Sequence, residues 1–171
     1  MGAFSFSKEE TMTPTQLQAL KNYIVADPVL NAFPLNTDGA WFISQTINAS
    51  ATPAFIVWRT ELPVEEIMRN GMDWARVDNL SVGKARIWDW MSRLGTINPS
   101  KPNIRAGIDA TWVGTALDLA VREAVYVHCK RPATLGENIL ATGTGTDASP
   151  ATMGYEGDIS YTDIDNARHL P

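Results

Sequence analysis

The chain has 171 residues, 14 Lys/Arg against 19 Asp/Glu, and one cysteine, Cys129. A net charge of −5 with 44% apolar residues describes an acidic globular protein, which excludes a wholly disordered chain and a nucleic-acid binder of the usual basic kind. One cysteine excludes an internal disulfide, and no apolar run approaches the roughly 18 residues that a membrane span needs.

Residues 1–12 are expected to be a flexible N-terminal extension, with Met12 as an alternative start. They lack a charged start followed by an apolar stretch, so no secretion signal is expected and synthesis in a host bacterial cytoplasm is. The first helix is well punctuated, because Thr13, Pro14 and Gln16 form a capping-box pattern and Asp27–Pro28 ends the element. A second helix is expected from Asp38 to about Ala49, carrying Trp41, Phe42 and Ile47. The stretch TPAFIVWRTE, 52–61, is β-branched and aromatic and reads as extended. Pro63, Glu65 and Glu66 mark another helical start, with the acids near its positive end.

NLSVGKARIWDWMSRLG predicts a helix over 81–94, capped by Ser81 or Asn79 and closed by Gly95. Val82, Ala85, Trp88 and Met91 supply its buried stripe, which places Trp90 about 200° from Trp88, either outside, against another chain, or under the linker 95–102. The longest helical region is 103–131, bent near Gly114. Its apolar face is read as Leu117, Ala120, Val121, Ala124, Val125 and His128, with Asp118 and Arg122 as a solvated pair on the opposite side. A short helix over Leu135–Ala141 leads into the segment ATGTGTDASPATMGYEG. Beyond it, a small hairpin around Glu156–Gly157 would pair Met153, Tyr155, Ile159 and Tyr161, and YTDIDNARH closes with one or two helical turns. The expected fold is mainly α: a helical bundle over 13–141, a small β-hairpin, and an extended, poorly cored C-terminal arm over 142–171. Most of the six tryptophans are assigned to the core.

Phosphate binding by the Gly/Thr segment fails on chemistry. A phosphate loop needs Gly-Lys-Ser/Thr at its end, yet no lysine follows Arg131, and six acids there face only Arg168. Zinc would need three or four ligands, whereas the chain owns His128, Cys129 and His169, and the first two point about 100° apart on a helix. Cys129 reads as a small buried residue at a helix end and His128 as a core histidine. Paired carboxylates remain an enzymatic option without a motif; Glu65 and Glu66 face different ways, and Asp73, Asp78 and Asp89 have no telling spacing. Neither a catalytic residue nor a cofactor or metal is therefore assigned.

The stretches DNLSVGKARIWDWM, NPSKPNIRAGIDATWVGT, AVREAVYVHCKRPAT and GTGTDASPATMGYEGDISYTDIDNAR, between residues 78 and 168, resemble the head-to-tail adaptor proteins of tailed bacteriophages. The resemblance is one of general character and organisation. It implies a virion subunit at the neck: a homo-oligomeric ring, usually of twelve copies, docked between the portal protein and the tail or nozzle proteins, with DNA passing through the lumen unheld. Another neck or head-completion component fits the same resemblance. A Gly-rich arm with unpaired backbone groups suits strand addition to a neighbour, so Trp90, Met153, Tyr155, Ile159 and Tyr161 are the expected assembly residues. Removing 142–171 should then leave a folded domain unable to assemble. The alternatives are a small carboxylate-dependent hydrolase or lysis enzyme, and a monomeric binding module.

Overall fold

The computed structural model describes residues 11–69 and 72–171, and it is mainly α. In chain order the elements are α1 (Pro14–Ala26), α2 (Pro28–Asn31), α3 (Thr37–Ile47), β1 (Ile56–Trp58), β2 (Leu62–Pro63) and α4 (Val64–Arg69). There follow α5 (Trp74–Asp78), α6 (Val82–Arg93), β3 (Thr96–Ile97), α7 (Pro102–Thr111) and α8 (Ala116–Cys129). β4 (Lys130–Pro132), α9 (Leu135–Leu140) and α10 (Tyr161–Arg168) complete the chain. Residues 1–10 of the expected extension lie outside the described residues, but Met12 does not belong to a loose tail. It is buried in an apolar core.

Two compact units divide these elements where one helical domain and an arm were expected. The first takes residues up to Ser50, Thr134–Leu140 and Gly154–Pro171. Its α1 begins as expected, with Thr13 and Gln16 in a reciprocal capping box and Pro14 at the first position. Asp27 accepts the Val29 and Leu30 amides at 2.8 and 3.0 Å, which starts α2, a turn that the sequence reading omits. Leu20, Ile24, Ala40, Ile43 and Ile47 form the core together with Ile159, Ile164 and Ala167 from the C-terminal segment.

The last thirty residues are therefore not a poorly cored arm. No hairpin forms around Glu156–Gly157; instead the Asn48 side chain engages both backbone groups of Ile159. Its Nδ2 donates to the Ile159 carbonyl at 3.0 Å and its Oδ1 accepts the Ile159 amide at 2.8 Å. The buried Glu137 caps α9 by accepting the Thr134 amide at 3.0 Å and also accepts the Gly157 amide at 3.1 Å. Side chains satisfy the backbone groups that a hairpin would have paired, so burial of Ile159 leaves little unpaired.

The second unit takes Ala51–Ala133 and Ala141–Met153. β1 pairs antiparallel with β4 in the register Ile56↔Pro132, Val57↔Arg131 and Trp58↔Lys130. The Gly/Thr segment lies against the other edge of β1. The Ala151 amide donates to the Ile56 carbonyl and the Trp58 amide to the Ala151 carbonyl, both at 2.9 Å, and the Ile56 amide donates to Gly145 at 2.7 Å. Thr142 and Thr152 exchange two backbone bonds at 2.8 and 2.9 Å. Residues 142–150, the first part of the expected extended arm, thus form a hydrogen-bonded loop.

The region 103–131 is two helices rather than one bent helix, separated at Gly114, whose φ is 126°. α8 is also rotated from its expected face. Val121, Val125 and Cys129 are buried beside Trp88, Ile108 and Trp112, whereas Leu117 is 59% exposed. Asp118 and Arg122 are not partners. Asp118 is buried, caps α8 through the Thr115 amide at 3.1 Å, and accepts Arg76 Nη2 at 2.5 Å. Arg122 instead faces Asp109. Stiff β-branched Val121 and Val125 fill the inner face better than the alanines on which the expected stripe relied.

Hydrogen bonds from Arg76 and then Thr115 hold the Asp118 carboxyl down to about 2 from its ordinary 3.8. A lowered folded-state value stabilises above the unfolded value and is lost as pH falls through the folded one. We expect the stability of the second unit to drop between about pH 4 and about pH 2, with Asp118→Asn flattening that limb of the melting-temperature profile. An unchanged profile in the variant would remove Asp118 from the acid response.

Candidate functional site

The expected assembly residues fall on both units, Trp90 and Met153 on the second and Tyr155, Ile159 and Tyr161 on the first. Trp90 lies on α6 of the second unit and is 64% exposed, while Trp88 on the inner face is 5% exposed and meets Trp112 edge-on at 5.2 Å. The helical period accounts for the split, since residues two apart cannot share a face. Val82 and Leu94 are exposed on the same helix-and-turn segment, with Arg86 between Val82 and Trp90 at four-residue spacing. This gives α6 an outer stripe of apolar and cationic side chains.

The other four assigned residues behave differently. Ile159 is buried in the first unit's core, and Tyr155 packs half-buried against it with its hydroxyl donating to the Asp158 carbonyl at 3.2 Å. Met153 packs against the small cluster of Val57, Ala133 and Ala151 in the second unit, where Arg131 Nη2 approaches its sulfur at 3.1 Å. Tyr161, the first residue of α10, is about half exposed. Met153, Tyr155 and Ile159 are therefore engaged within their own units. Only Trp90 and Tyr161 present large surfaces.

A second aromatic face was missed. Trp41 and Phe42 on α3 are 48% and 49% exposed and meet edge-on at 5.0 Å, while Phe33 stacks on Phe42 at 5.7 Å. Val29 and Leu35 of the same unit are also exposed. The signal was legible: Ala40, Ile43, Ser44 and Ile47 already fill one face of α3, so Trp41 and Phe42 must point elsewhere. Trp74 is likewise exposed, and the tryptophans divide evenly, with Trp58, Trp88 and Trp112 turned inward.

The second unit also holds an open polar cavity of about 630 Å³ between β1, α7, α8 and the Gly/Thr loop. Trp58 and Tyr126 form its aromatic wall, with ring centroids 5.6 Å apart. The Arg105 guanidinium lies 4.8 Å from the Trp58 ring, and its Nη1 donates to the Pro99 and Ser100 carbonyls at 2.7 and 2.9 Å. Such a stacked cation is held both by the ring and by its donors. The Tyr126 hydroxyl donates to Asp109 Oδ1 at 2.9 Å, and burial, reinforced by that carboxylate, pushes its pKa well above the usual phenol range. Lys130 Nζ donates to the carbonyl and Oδ1 of Asp147, each at 3.0 Å.

The groups considered for catalysis are placed as follows. Cys129 is fully buried, and burial pushes its thiol up to about 12, so it is no ready nucleophile. His128 Nδ1 lies 3.5 Å from Glu66 Oε1, which also accepts Arg59 Nη1 at 2.7 Å. That guanidinium holds the Glu66 carboxyl below its ordinary value. His169 belongs to the first unit, beside Asp165 at 3.5 Å. Glu65 pairs with Arg69 and Asp89 with Arg93, both four residues apart on one helix, while Asp73 caps α5. Among the described residues no group of three or more His, Cys, Asp or Glu side chains is arranged to hold a metal, and no helix is long and apolar enough to cross a membrane. No protein-family model, curated protein or solved structure matches the chain.

Proposed function

We propose that the chain is a non-enzymatic virion subunit of a tailed-bacteriophage neck, one member of a ring that joins the portal to the tail and lets DNA pass. The observation that carries this reading is the pair of exposed aromatic faces, Trp41 with Phe42 on the first unit and Trp90 on the second. Large exposed aromatics are unusual on a solitary protein and are the side chains that anchor interfaces. The resemblance of residues 78–168 to head-to-tail adaptors supplies the setting, with twelve copies as its implied number. In this reading the faces of α3 and α6 make the assembly contacts, and residues 142–171 serve as part of the folded units.

The test is assembly with a portal. The purified chain mixed with portal protein should form a large complex in sedimentation velocity, and Trp41→Ala with Trp90→Ala should weaken it. Trp90 is 64% exposed, but Trp41 is half-buried against Phe42, so thermal melting first establishes that the double variant is folded at the assay temperature; a lost anchor in an interface then costs about 2 kcal/mol or more. A double variant that assembles as well as the parent would sink the reading.

A further inference from the structure

We infer that the aromatic face of α3 docks on the outer face of α6 of a second copy of this chain, with Asp38 of one copy paired to Arg86 of the next; this rests on the ring reading above. Asp38 lies three and four positions before Trp41 and Phe42, so all three share the outward side of α3, and all three are exposed. Arg86 lies four positions before Trp90 and four after Val82, exposed between them on α6. Among the described residues the side chains of Asp38 and Arg86 have neither an ion pair nor a hydrogen bond. Each charge thus stands beside large apolar side chains that a partner would cover. An apolar cover would strip its water without compensation, so the partner at each face must bring the opposite charge.

The charges around each face select the occupant. No Lys, Arg or His lies between Lys21 and Arg59, and the only acids there are Asp27 and Asp38. Asp27 is engaged in capping α2. Arg168 reaches this side of the unit, but its Nη2 and Nη1 donate to the Phe33 and Pro34 carbonyls at 2.6 and 2.8 Å. The α3 face therefore offers one unmet carboxylate beside its rings. α6 carries Lys84, Arg86, Asp89 and Arg93. Asp89 is matched within the helix by Arg93 at 2.9 Å, and Lys84 donates to the Val113 carbonyl, which leaves Arg86 as the unmet guanidinium. The apolar spacing agrees with the charge pairing. Four helical residues span about 6 Å. With Asp38 opposite Arg86, the Trp41 and Phe42 rings fall level with Trp90 in a parallel crossing and with Val82 in an antiparallel one. Arginine and tryptophan are the side chains that most often anchor interfaces, and an Arg–carboxylate pair between them fixes the register. Because α3 and α6 lie on different units, the contact is head-to-tail and repeats from copy to copy.

The experiment is sedimentation velocity of full-length chains over a wide concentration range at low and high salt. The parent chain should self-associate, more weakly at high salt. Asp38→Arg and Arg86→Asp should each weaken association about tenfold or more, because every contact then opposes like charges. An equimolar mixture of these two variants should recover it, since each contact in an alternating assembly again joins a guanidinium to a carboxylate. Circular dichroism establishes that each variant is folded. Should Asp38→Arg not fold, Asp38→Asn takes its place, and its mixture with Arg86→Asp should stop at a one-to-one dimer through the contact that keeps both charges. Variants that associate like the parent, or that weaken without the expected recovery in the mixture, overturn this inference while leaving the ring reading intact. A parent chain that stays monomeric and joins only a portal overturns the second copy as occupant, and one that joins neither overturns both readings.

Discussion

A chain ending at residue 141 is expected to lose the cooperative unfolding of its first unit. The deletion removes Ile159, Ile164 and Ala167, each at most 1% exposed, from a core otherwise built by α1, α2 and α3. Truncating one fully buried isoleucine to alanine costs about 2–5 kcal/mol. Losing two, with the helix that carries one of them, rivals the roughly 5–15 kcal/mol that holds a domain folded. The same deletion strips the Ala151 bridge from β1 and the Glu137 and Asn48 bonds from the C-terminal segment. Thermal melting followed by circular dichroism should show a broad or absent transition, and Ile164→Ala alone should destabilise by about 2–5 kcal/mol. A truncated chain that melts like the parent would restore residues 142–171 to the status of a separable arm. This outcome also bears on assembly experiments, because failure of the truncated chain to bind a portal would report unfolding rather than a lost interface.

Gly145→Ala is expected to destabilise the second unit by about 2–5 kcal/mol, combining a backbone term with overpacking. Gly145 has a φ of 65°, and a Cβ there would lie 2.1 Å from the Phe55 ring. Its carbonyl meanwhile accepts the Ile56 amide at the start of β1, so the loop cannot swing away without breaking that bond. Phe55 itself packs against the Val57, Ala133 and Ala151 cluster. Gly157→Ala is the control, since φ is also positive there but a Cβ meets open space; only the backbone term of about 1–2 kcal/mol applies. Denaturant midpoints separate the two cases. In a flexible hinge, Gly→Ala would be neutral or mildly stabilising through the unfolded chain, so a stable Gly145→Ala protein would contradict the ordered loop.

Much of the helical fold was legible because its signals are local. The Thr13–Gln16 capping box, Asp27–Pro28, the Ser81 start of α6 and the Gly95 stop need only neighbouring residues to act. Trp88 inside and Trp90 outside follow from the period of one helix. Cys129 at a buried helix end was also legible, from the apolar run around it. The candidate site was less so. Trp90 and Tyr161 are exposed as an interface requires, but Met153, Tyr155 and Ile159 were assigned to a hairpin that other parts of the chain forestall. The Trp41–Phe42 face was readable in principle from the filled inner face of α3, yet tryptophan's usual burial argued the other way.

By itself, the sequence determined the start of α1, the extent of α6, the extended character of 52–61 within which β1 lies, and the mainly α class. Those depend on caps, periodicity and residue chemistry within about a dozen positions. Tertiary structure alone decided which face of α8 is buried, that Arg76 rather than Arg122 meets Asp118, and that residues 142–171 are divided between two cores. It also decided that Gly145 is held against Phe55 and β1. The reason is physical: Ile159 and Ala151 are buried by partners more than ninety residues away, and a glycine-rich stretch looks the same in sequence whether such partners are present or absent.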